Sequence, residues 1–318
     1  MTARFVLSFD CEGKWGVADH LTEGVHASLS DARLRAAYTN LVALLDEFAI
    51  PATFAFVGTF SLDPAGLRDL LPALHDINRE VPGYLGDALD DCVRTGAQGW
   101  TGDWAMAMVD AARTEHEIAL HGATHIPWDW PGLTADAARR ELGMLYAANV
   151  PLVSRASTYI YPRNAVAHTD VLDEFGLAGA RAARLRSSRL ASLAAEFNLN
   201  TAPDPDPAPA RPLVIPAGHF VNWRSGARRI VPPAVSALRA ARMLRRAAGT
   251  GEVVHYWTHP ENIASAPGTL DVLRGILAEV ARLRDEGRCD VQTQEQYCRI
   301  AQPDHVALCD ERRARQVP

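Results

Sequence analysis

Glu12, His121 and His125 have the residue types and spacing that suit one divalent metal: a carboxylate and a His-x-x-x-His pair. Asp10, two residues before Glu12, is left over as a base. The chemistry such a set serves is hydrolysis. Two imidazoles and one carboxylate leave positions open for water and substrate. A divalent metal lowers the pKa of bound water from about 15.7 to about 7 and polarises a carbonyl, so Asp10 need only take up one proton. The spacing of His121 and His125 alone also fits two unrelated loop histidines.

The elements that must position these side chains are strands. The segments VLSFDCEG (6–13) and EIALHGATH (117–125) each open with an apolar, β-prone run and end in polar residues. That is the pattern of a buried parallel strand presenting side chains at its carboxyl end. Alternation along an extended strand puts Asp10 and Glu12 on one side and Cys11 on the other, where Cys11 reads as a small buried apolar residue. If both acids did the same job, repulsion would raise one pKa; with one committed to a cation, the other stays ionised. The run HGATHIPWDWPG is poor helix material, so the two histidines are expected on a strand end entering a tight turn.

Four ordered motifs resemble the polysaccharide deacetylase superfamily, the NodB-homology domain of carbohydrate esterase family 4. SFDCEG resembles its first motif, and EHEIALHGATH its second, with His116, Glu117 and Ile118 matching the run before the metal histidines. YPRN at Tyr161 to Asn164 resembles its Arg/Pro motif, and VVHYWTHPEN the late strand with its histidine. The resemblance spans roughly residues 4 to 300. It implies that Glu12, His121 and His125 ligate the metal and that Asp10 is the general base. It also implies that Arg163 holds Asp10 and that His259 is the general acid. The chain departs from the family in having Asp10-Cys11-Glu12 for an Asp-Asp pair and Pro162-Arg163-Asn164 for Arg-x-Pro-Tyr. The Asp-x-acidic variant resembles a branch that holds sugar deacetylases and hydrolases of cyclic imides or ureides. His255 lies on the same alternating face as Trp257 and competes with His259 for the acid role.

The chain has 318 residues, 48% hydrophobic and 22% charged, enough for one large α/β core. Its net charge of −6 argues against a general binder of nucleic acid or anionic membranes. Five cysteines without Cys-x-x-Cys spacing indicate neither a disulfide framework nor a structural zinc site. The amino-terminal segment enters a strand with no apolar leader, which leads to the expectation of a cytoplasmic protein. No run approaches a membrane span.

Strand-like runs at Phe5 to Phe9, Thr53 to Val57, Ile118 to Leu120, Thr158 to Tyr161, Leu213 to Ile215 and Val253 to Trp257 alternate with helical periodicity. The helical segments are Leu34 to Phe48, Leu67 to Ile77, Ala135 to Ala148 after the candidate cap Thr134, Val235 to Arg246, and Leu270 to Glu286. The expected fold is α/β, a single domain over 1–318 with a distorted (β/α)7-type barrel, the incomplete form that the resemblance implies. Insertions are expected at about 80–105 and 200–230. The first, with Trp100 and Trp104, is a candidate wall of the substrate cleft. The second opens with the proline-rich TAPDPDPAPARP, a stiff loop. Candidate substrate contacts are Trp128, Trp130, Asn164, Trp223 and Arg224. The arginines at 181, 184, 186 and 189, and those from Arg224 to Arg246, read as solvated helix faces, with Arg224, Arg228 or Arg229 as an alternative anion handle.

These readings lead to the expectation of a metal-dependent N-deacetylase for an amino sugar or small glycoconjugate. Its cofactor would be one divalent ion, zinc by preference and otherwise cobalt, iron or nickel. Its partner is a small-molecule or saccharide substrate, with neither nucleic acid nor a membrane anchor. The alternatives are a cyclic imide or ureide hydrolase on the same scaffold and a silent glycan-binding protein.

Overall fold

The computed structural model describes residues 2–182, 189–205, 207 and 210–316; Arg184, Arg186 and the side chain of Arg189 lie outside the described residues. Nine strands form one sheet: β1 (Ala3–Cys11), β2 (Thr53–Phe56), β3 (Glu117–Leu120), β4 (Thr158–Tyr159), β5 (Gly179–Arg181), β6 (Leu213–Ile215), β7 (His219–Phe220), β8 (Val253–Thr258) and β9 (Cys289–Gln292). Every pairing between them is parallel, in the order β6-β5-β4-β3-β2-β1-β8-β7, with β9 beside the first half of β1. The short β6 pairs with β5 and the short β7 with β8, and only residues 216–218 separate them. Taken as one interrupted strand, they carry the sheet round from β5 to β8. The result is a distorted α/β barrel with seven positions.

β1 is the central strand, paired on one edge with β8 and on the other with β2 and β9. Both its faces are covered, so it reads as a nearly continuous apolar run instead of an alternation. Helices cross between the strands as the periodicity predicts. Asp31–Phe48 follows β1, Pro64–Glu80 follows β2 with Asp63 capping the Gly66 amide, and Ala135–Ala147 follows β3 with Thr134 capping Ala137. Pro233–Thr250 and Thr269–Asp285 flank β8. No helix among the described residues is long and apolar enough to cross a membrane.

Three strands have no clear sequence signal. β5 is Gly-Ala-Arg, β7 has two residues, and β9 is the half-polar Cys-Asp-Val-Gln. They form because the ladder offers them partners, a tertiary effect that outweighs weak local propensity.

At the amino-terminal end of the barrel, the buried carboxylate of Glu117 ties four elements together. It accepts hydrogen bonds from Thr53 Oγ1 at 2.7 Å, from Thr158 Oγ1, and from the Glu295 amide at 2.9 Å. Burial raises its pKa above the ordinary glutamate value of 4.5, and these donors only partly oppose that. Glu117→Ala leaves three buried donors unpaired and should cost about 2–3 kcal/mol, read from urea midpoints. Because the folded-state pKa is raised, the stability that Glu117 contributes is full below about 4.5 and declines as pH rises through its folded value. The gap between wild type and Glu117→Ala should therefore narrow with rising pH; a gap that widens would refute this assignment.

Candidate active site

The carboxyl ends of the strands converge on one pocket. Asp10 stands on β1 with Glu12 just beyond it, His121 follows β3, Asn164 follows β4, Arg181 ends β5, and His259 follows β8. The carboxylate of Glu12 is the focus: its Oε1 lies 3.1 Å from His121 Nε2, 3.0 Å from His125 Nε2 and 3.3 Å from His259 Nε2.

The ligand nitrogens are prepared from behind. His121 Nδ1 donates to the carbonyl of Ile160 at 2.8 Å, which leaves Nε2 as the lone-pair atom. His125 Nδ1 donates to the Tyr84 hydroxyl at 2.7 Å, and that hydroxyl donates onward to the carbonyl of Trp15. Two imidazoles and a carboxylate thus bring their ligand atoms within 4.8 Å of one another, and this donor set fits a divalent cation.

The turn from His121 to His125 is not helical. It depends on positive φ at Gly122 (+73°) and at His125 itself (+65°). Glu141 holds it from the crossing helix Ala135–Ala147, its Oε1 accepting from the amides of Ala123 and Thr124 at 2.8 and 2.7 Å and from the Thr124 hydroxyl. On the other side, Glu261 Oε1 accepts from the amides of Glu12 and Gly13 at 3.1 and 2.6 Å. This bond fixes the backbone that carries Glu12. Gly16 makes room for the Glu12 side chain, since a Cβ there would sit 1.9 Å from Glu12 Oε2.

Asp10 is held by Arg181, not by Arg163. The guanidinium of Arg181 is fully buried and donates twice to Asp10, Nη1 to Oδ1 at 2.7 Å and Nη2 to Oδ2 at 2.6 Å. It also donates to Asn164 Oδ1 at 2.9 Å and lies over the Trp257 ring at 4.4 Å. Burial alone would raise the Asp10 pKa, but Arg181 and then His121 outweigh it and leave it lowered. Asp10 is thus an ionised base whose orientation is set without a metal bond.

His259 faces both acids, 3.3 Å from Glu12 and 3.9 Å from Asp10. Burial lowers its pKa, but the charges of Glu12 and Asp10 lift it to about 9. Asn262 Nδ2 donates to His259 Nδ1 at 3.0 Å, so a neutral ring keeps its proton on Nε2, toward the pocket. A doubly protonated ring needs the amide of Asn262 turned over. The competing His255 is a core residue, with Nε2 at 2.9 Å from Ser8 Oγ and Nδ1 donating to the Pro216 carbonyl at 2.7 Å.

Several expectations are corrected. Arg163 has left-handed φ, as does Asn164, and this double turn sends the two side chains apart. Asn164 reaches Arg181, whereas Arg163 pairs with Asp19 on the loop after β1. Trp128 is fully buried against Tyr159 and Tyr161, so it cannot stack on a substrate. Trp130 is anchored through Nε1 to the Pro82 carbonyl and packs on Tyr84. The guanidinium of Arg224 donates to the carbonyls of Val231 and Arg229, and Arg228 binds Glu196; both stabilise their own loop. Trp100 packs in the core on Trp15 and does not form a cleft wall, although Tyr84 from the same segment supports His125. Trp223 does line the pocket, together with His259 and Glu12.

Arg181, Tyr84, Glu141 and Glu261 were not identified from sequence. Glu141 had a signal: it interrupts the apolar stripe of Ala137, Ala138, Leu142 and Leu145. Arg181 was hidden because it opens a run of arginines.

Arg181→Met should cost about 3–5 kcal/mol by leaving Asp10 buried and unpaired, and any activity should fall roughly 10²-fold or more as the base is lost. Arg163→Met should leave stability within about 1 kcal/mol, since its partner is a half-exposed loop acid. Denaturation curves for the two variants decide which arginine holds Asp10. Gly16→Val should displace Glu12 and weaken zinc affinity by at least about 10-fold, the usual cost of disturbing a ligand's support; calorimetry with unchanged affinity would contradict this.

No family model matches the chain, and no curated protein matches its sequence. Solved structures do match its fold. One described as a polysaccharide deacetylase from Mycobacterium smegmatis aligns with a TM-score of 0.55 at 19% identity, over 100% of this chain and 92% of the other. Another, described as a polysaccharide deacetylase from Pseudomonas aeruginosa PAO1, gives 0.56 at 12% identity over 96% and 92%. The Puue allantoinase gives 0.56 at 13% over 96% and 91%. This chain thus has the polysaccharide deacetylase fold, the barrel to which its sequence motifs pointed.

Proposed function

We propose that this chain is a metal-dependent amide hydrolase that removes an acyl group, acetyl by preference, from an N-acylated amine such as an amino sugar. The observation that carries this reading is the division of the two acids. Glu12 meets both prepared imidazoles, while Asp10 is locked by Arg181 in the same pocket without joining them.

Glu12, His121 and His125 would hold the cation, whose chemistry when bound is to polarise the amide carbonyl and to supply hydroxide near neutral pH. Asp10 accepts the proton of the attacking water, and its fixed orientation keeps it from rotating away. His259 acts as the imidazolium, with the Asn262 amide turned so that its oxygen accepts from Nδ1, and gives its Nε2 proton to the amide nitrogen as the carbon–nitrogen bond breaks, which leaves a neutral ring and releases a neutral amine. The proton on Asp10 can then return to His259, 3.9 Å away. Water and amide are converted to carboxylic acid and amine, and every proton is accounted for.

The test combines acetate release with metal analysis. The wild-type chain should release acetate from an N-acetyl amino sugar, lose activity with a chelator and recover it with zinc. Asp10→Asn should lose roughly 10²-fold or more in turnover while keeping its metal. Stoichiometric metal without hydrolysis of any N-acylated amine would support a silent binder instead. Ring opening of a cyclic ureide, with no acetate released from any acetamide, would move the reading to that branch.

A further inference from the structure

The loop after β1 builds a recess beside the acid. Val17, Val25 and Leu29 from residues 15–29 line it together with Trp223 and with Glu12 and His259 of the site; the volume is about 380 Å³. Asp10, His121 and His125 do not line it. The recess therefore lies on the side of the pocket where His259 acts, and not on the side of the base. Since His259 protonates the leaving nitrogen, whatever that nitrogen carries must extend this way.

We propose that this recess binds the amine half of the substrate, and that this half is uncharged and presents an apolar face. The inference rests on the hydrolase reading above and narrows its substrate class. The apolar side chains would shed water against a ring face or a hydrophobic substituent. Among the described residues no lysine or arginine lines the recess, and its ionisable lining is Glu12, Glu261, His20 and His259. The arginines nearby are engaged elsewhere, Arg163 with Asp19 and Arg224 with backbone carbonyls. Among the described residues a diphosphate entering here would meet only imidazoles as cations, without the bidentate fork of a guanidinium. The guanidinium groups of Arg224 and Arg228, two of the alternative anion handles named from the sequence, are thus engaged within the protein.

The experiment compares three N-acetylglucosamine derivatives: the phenyl glycoside, the methyl glycoside and the uridine diphosphate sugar. The phenyl glycoside should exceed the methyl one in kcat/KM by about tenfold or more, in the range that filling an apolar pocket provides, and the nucleotide sugar should be poorest. Val25→Asp should abolish the phenyl advantage and Val25→Leu should keep it. A second readout needs no turnover: phenyl glucosaminide, the amine product, should bind the wild-type chain in calorimetry and not Val25→Asp. If the two glycosides are deacetylated equally, or the nucleotide sugar best, the recess proposal is overturned while the hydrolase reading stands. If nothing is deacetylated but the amine still binds and Val25→Asp abolishes binding, the recess is supported and the hydrolase reading falls.

Discussion

The buried pair of Asp10 and Arg181 is the interaction on which the rest of the site depends. Two carboxylates two residues apart cannot both stay ionised in a dry pocket unless each has its own compensation. Glu12 finds it in the His259 imidazole 3.3 Å away, and Asp10 finds it in a bidentate guanidinium. Removing two charges from water costs several kcal/mol for each ion, so such a pair persists only with near-ideal geometry and further hydrogen bonds. Arg181 has both, with Asn164 and the Trp257 face completing its surroundings. The barrel brings these residues together: β1, β4, β5 and β8 all deliver their ends to the same rim.

Around that pair the supporting contacts are mostly backbone held by buried acids. Glu141 secures the turn between the two histidines, Glu261 secures the turn that carries Glu12, and Glu117 closes the opposite end of the barrel. Each acid sits on one element and receives donors from another. A buried acceptor of this kind is costly unless it is satisfied, and so it specifies one arrangement of the elements. The functional groups are therefore held by connections between secondary structures, not by local loop preference.

The division of labour also explains why so many arginines do no binding. Arg163, Arg224 and Arg228 each stabilise a loop, with Asp19, backbone carbonyls and Glu196 as partners. With them engaged elsewhere, the described lining of the outer recess is largely apolar, with Glu12, Glu261, His20 and His259 as its ionisable groups. Specificity in such a site comes from shape and desolvation more than from charge attraction.

Much of this was legible in the chain alone. Asp10, Glu12, His121 and His125 stand at the polar ends of apolar runs, and strand alternation puts the two acids on one side; the role of His259 came from the resemblance of its motif. The alternation of strands and helices pointed to a parallel α/β sheet, since local hydrophobic periodicity determines which faces must be buried, and the incomplete barrel was what the resemblance implied. What the sequence could not decide was partnership across the barrel. Arg163 and Arg181 are equally good cations on paper, and only the positive φ at Arg163 and the short strand β5 determine which one meets Asp10. The same holds for Trp128 and Trp223, one buried and one lining the pocket. Burial and pairing are properties of elements distant in the chain, so they exist only once the tertiary structure has formed.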